Sequence, residues 1–371
     1  MSLRMIIAGG GTGGHVFPGI ALAEAFLSLR PGGVVTFVGT ETGLEARAVP
    51  ARGFGIDFVP SGQVRGKGLA SLAGLLRIAR GFPAAVSVVR RRRPDLVIGV
   101  GGYASVPVAA AAALLRVPLF LQEQNSVPGR SNRFLARRAV RVFAGFAGAV
   151  PFFPPGKSEV TGNPVRSEIV AAARERADDW PPEEPFTVLA LGGSRGARAI
   201  NSRVLEMARK GKREGKAIRF LLQAGEAEHE AVEKAVREEG LPVEPFPFTG
   251  RIGEMFPRCH AVLMRAGALS ISEAALFGRP CVLVPYPYAA DDHQAGNARE
   301  YCEAGAGAWM AEAEATAEAL WSSLWSLAGD RAARERARAA SRAFARPDAA
   351  FEVIRRALAL SENVPPGGRA A

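Results

Sequence analysis

Residues 5–18 read MIIAGGGTGGHVFP and combine an apolar run, a cluster of glycines and a proline. The apolar run Met5–Ala8 favours a strand that is buried on both faces, as in a parallel sheet. Glycines in the turn let backbone N–H groups approach an oxygen-rich ligand, and the N-terminus of the following helix favours negative charge. Pro18 suits the first turn of that helix, which we predict over 18–29. The stretch therefore predicts the strand, turn and helix that begin an α/β domain.

The same alternation of strand, turn and helix recurs along the whole chain. Predicted strands in the first half are Met5–Ala8, Val34–Val38, Leu96–Val100 and Leu119–Leu121. Predicted strands in the second half are Phe186–Leu191, Ile218–Gln223, Ala261–Met264 and Cys281–Val284. Helical patterns cover 18–29, 106–115, 200–209 and 226–239. Segments 150–155, 162–164 and 178–185 are rich in proline or charge and place a linker near residue 163. We therefore predict two Rossmann-like, parallel-sheet domains that face each other across a cleft.

Length and composition support this organisation and exclude several classes of protein. The chain has 371 residues, 48% of them hydrophobic, which suffices for two domains with separate cores. No uncharged apolar run of about 18 residues occurs, and Met1–Arg4 leave no room for a signal peptide, so we expect a cytosolic protein. The three cysteines lack a Cys-x-x-Cys pattern. They favour neither a disulfide framework nor a zinc site.

The net charge of +11 is distributed unevenly. Residues 1–163 contain 19 basic and 7 acidic side chains, whereas the remainder contains 28 basic and 29 acidic ones. A preference for Arg over Lys would follow from a GC-rich genome, but it does not explain this asymmetry. The excess indicates that the first domain contacts a polyanion, either nucleic acid or anionic lipid.

The first glycine turn also has the form of a dinucleotide-binding motif. Gly9, Gly11 and Gly14 match G-x-G-x-x-G, which taken alone is a weak signal. A dinucleotide site expects an acidic residue at the end of the second strand, where this chain has Gly39-Thr40 with Glu41 close by. A NAD-dependent oxidoreductase is therefore an alternative that lacks its ribose-binding acid.

A second glycine turn, Gly192 to Ala197, follows the first strand of the second domain in the same way. Two such turns, one in each domain, would flank the predicted cleft. A diphosphate-linked donor could bind at the second helix N-terminus while the first turn remains free for an acceptor. This arrangement favours a transferase, although a tight strand-to-helix connection without a ligand is the alternative for each turn.

Seven motifs occur in an order that identifies a resemblance. They are GGTGGHVFP at 10–18, GGY at 101–103, EQN at 123–125 with PG at 128–129, GNPVR at 162–166, GSRGA at 193–197, GALSISE at 267–273 and QAGN at 294–297. Together they resemble the MurG family of bacterial glycosyltransferases over residues 5 to about 345. Two positions depart from the family pattern, since Gln122 stands where a His is common and Ala266 where a Ser is common.

The resemblance implies a GT-B fold and an inverting transfer of N-acetylglucosamine without a metal or other cofactor. The implied donor is UDP-N-acetylglucosamine, and the implied acceptor is the 4-hydroxyl of undecaprenyl-diphosphate-linked N-acetylmuramyl-pentapeptide (lipid I). The product would be lipid II, used in peptidoglycan synthesis. Another lipid acceptor, such as diacylglycerol, is the nearest alternative. A nucleotide- or RNA-binding regulator without catalysis is a further one.

Domain roles follow from the same resemblance. Residues 1–162 would form the acceptor- and membrane-binding domain and 163–340 the UDP-sugar-binding domain. Residues 341–371 would form a C-terminal helix that packs back on the first domain, followed by a tail.

The resemblance also assigns roles to individual residues. The Ile252 backbone would read uracil and Glu273 would hold the ribose hydroxyls. Arg166 and Ser194 would stabilise the leaving diphosphate. Residues expected around the ribose and phosphates are Ala268, Leu269, Ser270, Ile271 and Ser272; those expected at the sugar are Gln294 and Asn125; those expected near the transfer point are Thr12, Gly13 and Gly14.

His15 is the candidate catalytic residue, because it alone of the four histidines lies in a glycine turn. An imidazole titrates near neutral pH and could remove the proton of the acceptor hydroxyl as a general base. Orientation of the acceptor or its diphosphate is the alternative role. Gln122 can form hydrogen bonds but cannot titrate, so no proton transfer is expected there.

Residues 65–93 form the candidate membrane surface. Basic residues, including Arg65, Lys67 and Arg90 to Arg93, alternate with apolar ones such as Leu72, Leu76 and Phe82. This composition favours a surface that contacts an anionic membrane, although a core-facing helix with a basic outer side would explain part of it. Phe82 is the one aromatic residue in the stretch, which disfavours nucleic acid because stacking capacity is low.

Overall fold

The structure is a computed structural model that describes residues 2–62, 69–216 and 218–362. Within these ranges, the side chains of 69–79 and 194–197 are not described. Arg65 and Lys67 therefore lie outside the described residues, and the side chains of Leu72, Leu76 and Ser194 lie outside the described side chains. The chain divides into two compact units, Met1–Ser167 with Pro347–Ala371 and Glu168–Arg346.

Unit 1 is a parallel sheet with helices on both faces. Its described strands are β1 Arg4–Gly9, β2 Val34–Gly39, β3 Gly55–Phe58, β4 Leu96–Gly101, β5 Leu119–Glu123, β6 Arg141–Ala144 and β7 Ser158–Val160. Its helices up to residue 167 are α1 Gly13–Leu29, α2 Glu45–Ala48, α3 Leu69–Arg92, α4 Ser105–Leu114 and α5 Arg130–Leu135, with 3₁₀ helices at Pro50–Arg52 and Ala147–Phe152. The strand order is β3-β2-β1-β4-β5-β6-β7.

Alternate residues of β1 enter two different cores. Ile7 lies opposite Phe37 of β2 and Ile98 of β4, and all three belong to one apolar cluster. Ile6 and Ala8 belong to the cluster on the other face. Burial on both faces explains why β1 is continuously apolar.

Unit 2 repeats this architecture. Its described strands are β8 Phe186–Leu191, β9 Ile218–Gln223, β10 Val243–Phe246, β11 Ala261–Met264, β12 Cys281–Leu283 and β13 Gly307–Trp309. The helices are α6 Ser167–Arg176, α7 Gly193–Glu214, α8 His229–Glu239, α9 Ala268–Leu276, α10 His293–Glu303, α11 Ala317–Gly329 and α12 Arg331–Phe344, with 3₁₀ helices at Ile252–Glu254, Phe256–Arg258 and Ala290–Asp292. The strand order is β10-β9-β8-β11-β12-β13, and the pairs are parallel.

The last described helix, α13 Ala349–Glu362, belongs to unit 1. It packs against α1 and contributes Val353, Ile354 and Leu358 to the same core as Ile7. The chain thus returns to its first unit after completing the second, and the N-terminal core depends on C-terminal residues.

In both sheets the chain reverses direction of winding at one point. In unit 1, β2 and β3 lie on one side of β1, and β4 to β7 lie on the other side. In unit 2, β9 and β10 lie on one side of β8, and β11 to β13 lie on the other side. In open α/β sheets, ligands bind beyond the carboxyl ends of the strands at this switch point. The ends of β1, β4, β8 and β11 are therefore where ligand-binding residues are expected.

The eight predicted strands are confirmed, each to within two residues at either end. The predicted start of the first helix is wrong, because α1 begins at Gly13 rather than Pro18. Thr12 is the N-cap residue, and its carbonyl accepts hydrogen bonds from the backbone N–H groups of His15 and Val16. Pro18 consequently lies inside the helix. Within the described ranges, no helix is long and apolar enough to cross a membrane.

Candidate functional site

The first glycine turn connects β1 to α1 at the switch point of unit 1. Gly11 has a φ of 93°, which lies in the left-handed region that favours glycine. Because α1 begins at Gly13, His15 lies in the first helical turn rather than in the loop. Thr12 Oγ1 and His15 Nδ1 are 3.4 Å apart, so the two side chains lie side by side at the helix N-terminus.

The end of β4 packs directly against this turn. A Cβ atom on Gly101 would lie 2.8 Å from His15 Cδ2 and 3.0 Å from His15 Nε2. A Cβ atom on Gly102 would lie 2.5 Å from the carbonyl oxygen of Gly10. Side chains at either position would displace the turn or the imidazole. The motif Gly101-Gly102 is therefore needed for the position of His15.

At the end of β5, Glu123 organises the loop that carries Asn125. Its buried carboxylate accepts hydrogen bonds from the backbone N–H groups of Asn125 at 3.0 Å and Gly129 at 3.1 Å. The side-chain amides of Asn132 at 2.9 Å and Asn125 at 3.3 Å also donate to it. Burial raises the pKa of the Glu123 carboxyl, and these hydrogen bonds oppose the rise. Glu123 is part of the motif EQN, but the sequence alone did not predict a role for it.

Gln122 takes part in a buried network that adjoins the one around Glu123 through Asn132. Its side-chain amide lies 3.4 Å from Asn163 Oδ1, and its Oε1 accepts a hydrogen bond from Gln124. Asn163 in turn donates to the backbone carbonyl of Gln124 at 3.1 Å. Gln122 is fully buried and contacts Gln124 and Asn163 beneath the surface of the loop that carries Asn125.

Arg166, expected at the leaving diphosphate, lies near α1 of unit 1. Its guanidinium carbon is 5.0 Å from the centre of the Phe17 ring, a cation–π geometry. Phe17 also lies beside Gly13, since a Cβ atom there would be 3.0 Å from the ring. Through Phe17, the turn and Arg166 belong to one side-chain cluster. The sequence offered no signal for this pairing, because the two residues are far apart in the chain.

The second glycine turn connects β8 to α7 at the switch point of unit 2. Gly193 has a φ of 70°, and a Cβ atom there would lie 4.0 Å from Arg265 Cγ. Arg265, at the end of β11, is buried and forms an ion pair with Glu312 at 2.5 Å. It therefore lies beside the turn predicted to bind an anion. Sequence reasoning did not single out Arg265.

The segment Ala268–Ser272, expected around the ribose and phosphates, forms the beginning of α9. Ala268 and Ile271 are buried, and the Ile271 backbone N–H donates to the Gly267 carbonyl at 3.0 Å. Leu269, Ser270, Ser272 and Glu273 are half-buried. Gly267 is the N-cap residue of α9. The helix N-terminus at the end of β11 thus has the polarity that attracts phosphate.

The remaining donor candidates lie in other elements of unit 2. Ile252 begins a 3₁₀ helix and its side chain is buried. Gln294 lies in the first turn of α10, where its Oε1 accepts a hydrogen bond from the Tyr286 backbone N–H at 2.9 Å. Asn297, the last residue of the motif QAGN, is buried in α10 and donates to the Ala266 carbonyl at 3.1 Å. That bond uses the Ala266 backbone and so does not require the Ser common at this position.

Unit 1 brings together Thr12, His15 and Gly101. Arg166 lies near the same helix, where it contacts Phe17. Asn125 is held by Glu123 at the end of β5, two strands from β1. In unit 2, the second turn and the start of α9 follow adjacent strands, β8 and β11. The Ser194 side chain is not among those described.

Comparisons with known families cover both units. The profile of the glycosyltransferase family 28 N-terminal domain matches residues 5–144, and that of the glycosyltransferase family 28 C-terminal domain matches residues 187–353. The first match includes the first glycine turn and the ends of β4 and β5. The second includes the second glycine turn, α9 and α10.

Two similar proteins share the same name. A protein of Trichlorobacter lovleyi is 38% identical over 328 residues, covering 84% of this chain and 86% of its own. A protein of Anaeromyxobacter dehalogenans is 41% identical over 317 residues, with 85% and 82% covered. Both are called UDP-N-acetylglucosamine–N-acetylmuramyl-(pentapeptide) pyrophosphoryl-undecaprenol N-acetylglucosamine transferase. The crystal structure of Acinetobacter baumannii MurG matches with a TM-score of 0.77 and 27% identity, covering 96% of this chain and 99% of that one.

Proposed function

Because this chain belongs to glycosyltransferase family 28, we propose that it transfers N-acetylglucosamine from UDP-N-acetylglucosamine to lipid I. The names of its relatives support this donor and this acceptor. The observation that carries the proposal is a glycine turn at the switch point of each sheet, with His15 beside the first and α9 beside the second. The product would be lipid II, a precursor of peptidoglycan.

Unit 1 is proposed to bind the acceptor. The 4-hydroxyl oxygen would attack the anomeric carbon of N-acetylglucosamine while His15 accepts its proton. The bond from that carbon to the UDP diphosphate breaks, its electron pair leaves with UDP, and the configuration inverts. Thr12, 3.4 Å from His15 Nδ1, would hold the ring, and Gly13 and Gly14 would approach the transfer point through their backbone. Orientation of the acceptor is the alternative role for His15.

Unit 2 is proposed to bind UDP-N-acetylglucosamine. The backbone of Ile252 would contact uracil, and Glu273 would accept hydrogen bonds from the ribose hydroxyls. The N-termini of α7, with Ser194, and of α9 would stabilise the diphosphate, whose charge grows as the bond breaks. Arg166 would supply a further positive charge to it. Gln294 and Asn125 would contact the sugar. No metal and no cofactor is required in this scheme.

A peripheral position on the cytoplasmic face of the cell membrane is proposed for unit 1, because a lipid-linked acceptor stays in the membrane. In the described part of the candidate surface, the C-terminal half of α3 forms a groove with the end of α4. Phe82, Val86 and Leu114 line it together with Arg90 and Arg91. Leu114 is 60% exposed. Apolar side chains flanked by arginines suit an anionic lipid surface.

The experiment that tests the proposal is release of UDP from UDP-N-acetylglucosamine with and without a lipid I analogue. Release that depends on the analogue is expected. Diacylglycerol serves as the control acceptor and should give no release above background. Release with diacylglycerol but not with the lipid I analogue would contradict the proposed acceptor, and binding of UDP without any turnover would contradict the transferase.

A further inference from the structure

Glu45 is a buried acidic residue beside the first glycine turn. It is the first residue of α2 and only 1% of its surface is exposed. A carboxylate is costly to bury unless hydrogen bonds compensate for lost water. The partners of Glu45 therefore indicate why the fold retains it.

Three hydrogen bonds connect this carboxylate to the turn and to the end of β2. The backbone N–H of Gly11 donates to Oε2 at 2.7 Å. The backbone N–H and the hydroxyl of Thr40 donate to Oε1 at 2.9 Å and 2.8 Å. The side chain thus connects the turn after β1 to the end of β2, because Oε2 binds Gly11 and Oε1 binds Thr40.

Three glycines leave the room that this carboxylate occupies. A Cβ atom on Gly10, Gly39 or Gly43 would lie 2.2, 2.5 or 2.1 Å from an atom of the Glu45 side chain. None of the three has a positive φ, so backbone conformation does not explain them. Space for Glu45 explains all three. A cage of this kind holds the side chain in a single position.

The turn is held on its other side by the end of β4. Gly102 approaches the carbonyl oxygen of Gly10, as described above, while Glu45 binds the N–H of the next residue. Thr12 follows directly and caps α1, and its carbonyl accepts the N–H of His15. Displacement of Gly11 would therefore change the position of Thr12 and of His15.

Glu45 also occupies a backbone N–H that a dinucleotide-binding turn would offer to pyrophosphate. In this chain the N–H of Gly11 is bonded to a carboxylate from within the same unit. A negative group at this place opposes the approach of a phosphate to the same N–H. The turn is thus formed by internal contacts, independent of a ligand.

We propose that Glu45 is a positioning residue for the transfer step, which acts by holding Gly11 and thereby Thr12 and His15. The inference rests on the proposed function of His15. It assigns to a short helix and three glycines, Gly10, Gly39 and Gly43, the task of placing the imidazole before substrate binds. Glu45 itself touches no reacting atom in this scheme.

The test compares Glu45→Ala and Glu45→Gln with the wild-type chain in the UDP-release assay. We expect Glu45→Ala to lower kcat about ten- to a hundredfold, because small displacements of catalytic groups have effects of this size. Glu45→Gln should lose less, since its amide oxygen retains one acceptor. The KM for UDP-N-acetylglucosamine should stay within about twofold of wild type, because unit 2 is unchanged. Glu41→Gln, an exposed acid in the same segment, is the matched control and should leave kcat unchanged.

Hydrogen–deuterium exchange of the peptide spanning 9–16 gives a second readout that does not require turnover. Faster exchange there in both Glu45 variants, with exchange in the strands of unit 2 unchanged, is expected. Glu45 variants with wild-type kcat and unchanged exchange at 9–16 would overturn the inference. Variants that lose UDP affinity and thermal stability together with kcat would also overturn it, because the damage would then be general. If Glu45→Ala does not fold, the isosteric Glu45→Gln carries the test. If the wild-type chain releases no UDP, the proposed function fails, and the exchange experiment alone decides whether Glu45 holds the turn.

Discussion

His15 lies in the first turn of α1, where its neighbours are short or have no side chain. Thr12 is beside Nδ1, and Gly101 packs against the ring near Cδ2 and Nε2, where a side chain would not fit. A helix N-terminus with one imidazole, one hydroxyl and surrounding glycines offers few groups for proton transfer. The roles of these residues can therefore be separated by single substitutions.

We expect His15→Ala to lower kcat about a hundredfold or more, because a general base contributes factors of this order. UDP affinity should be nearly unchanged, since unit 2 is proposed to bind the donor. UDP release with saturating acceptor measures the first quantity. All four tryptophans lie in unit 2, so quenching of their fluorescence by UDP measures the second.

His15→Gln is the matched comparison for this prediction. Its amide can orient an acceptor by hydrogen bonds but cannot accept the proton at neutral pH. Activity equal to wild type in His15→Gln would indicate orientation rather than base catalysis. Unchanged turnover in His15→Ala would remove His15 from the mechanism.

Glu273→Ala should weaken UDP binding about tenfold or more, because hydrogen bonds to a charged group contribute about 1.5–3 kcal/mol. Tryptophan fluorescence titrated with UDP gives the dissociation constant. Glu230→Ala, an exposed acid on α8, is the control and should bind UDP like wild type. Equal affinity in Glu273→Ala and Glu230→Ala would be incompatible with a ribose contact.

His260 provides a prediction on stability rather than activity. Its Nδ1 accepts the backbone N–H of Thr187 at 2.9 Å, which requires that this nitrogen carry no proton. The ring is fully buried between Trp180 and Phe186. Burial, followed by the charge of Arg334, lowers the pKa of His260 to about 4.

The unfolded chain binds a proton at His260 below about pH 6.5, whereas the folded chain resists it until about pH 4. This contribution to stability is therefore complete above pH 6.5 and is lost as the pH falls toward 4. The loss should total about 3 kcal/mol, and about 2 kcal/mol of it should appear between pH 7 and pH 5. Urea unfolding at pH 7 and pH 5, followed by tryptophan fluorescence, measures it for unit 2. His260→Asn cannot titrate, and the pH dependence should be smaller by this amount; an identical dependence would contradict the assignment.

At the scale of elements, most strands could be predicted from the sequence. The strands that were not predicted contain partly exposed residues, which interrupt the apolar pattern. β1 and β4 are continuously apolar because both faces are covered, and this pattern survives in the sequence alone. β3 and β13 contain no buried residue and are only 3 or 4 residues long, so periodicity gives no signal for them. The start of α1 was missed because glycines disfavour helix interiors, whereas here the cap at Thr12 and contacts with neighbouring strands determine the helix.

The C-terminal helix α13 is the element whose packing is most open to a test. Ile354 is fully buried in the core of unit 1. We expect Ile354→Ala to destabilise this unit by about 2–5 kcal/mol through loss of apolar contact and a cavity. Hydrogen–deuterium exchange of β1 and β4 measures the effect on unit 1 by itself.

Arg355→Ala on the exposed side of α13 is the control for this prediction. Its ion pair with Glu352 is 3.7 Å long and solvent-exposed, so the change should stay within about 0.5 kcal/mol. Equal exchange in Ile354→Ala and Arg355→Ala would show that α13 contributes little to the unit.

At the scale of the whole molecule, the excess of basic over acidic residues lies in the first 163 residues, whereas the rest of the chain has a net charge close to zero. In unit 1, Arg90 and Arg91 flank the groove that contains Leu114. An anionic surface would attract this unit selectively. The attraction should decrease with salt because exposed charges are screened over about 10 Å at 0.1 M.

We expect Arg90→Glu and Leu114→Ser each to weaken binding to phosphatidylglycerol vesicles about fivefold or more, since one basic residue near such a surface contributes about 1 kcal/mol. Flotation of the protein with vesicles measures binding, and phosphatidylcholine vesicles should bind little. Arg237→Glu, an exposed charge on α8 of unit 2, is the matched control. Equal losses in Arg90→Glu and Arg237→Glu would indicate an effect of net charge alone and contradict a specific surface.

From the sequence alone came the two parallel-sheet units, the strands buried on both faces and the two glycine turns. These features are local, because they depend on runs of neighbouring residues and on the conformational freedom of glycine. The ordered motifs also identified the family, since each has a distinct composition. Candidate residues such as His15 and Glu273 were found because they lie within those motifs.

Only the tertiary structure showed which distant residues meet. The contact of Arg166 with Phe17, the hydrogen bond from the Gly11 N–H to Glu45, and the packing of α13 on α1 all join segments that no local pattern relates. Burial of Asn297 likewise depends on the neighbouring strand. The physical reason is that a pattern records how each segment folds, whereas hydrogen-bond partners and packing depend on which segments the sheet brings side by side.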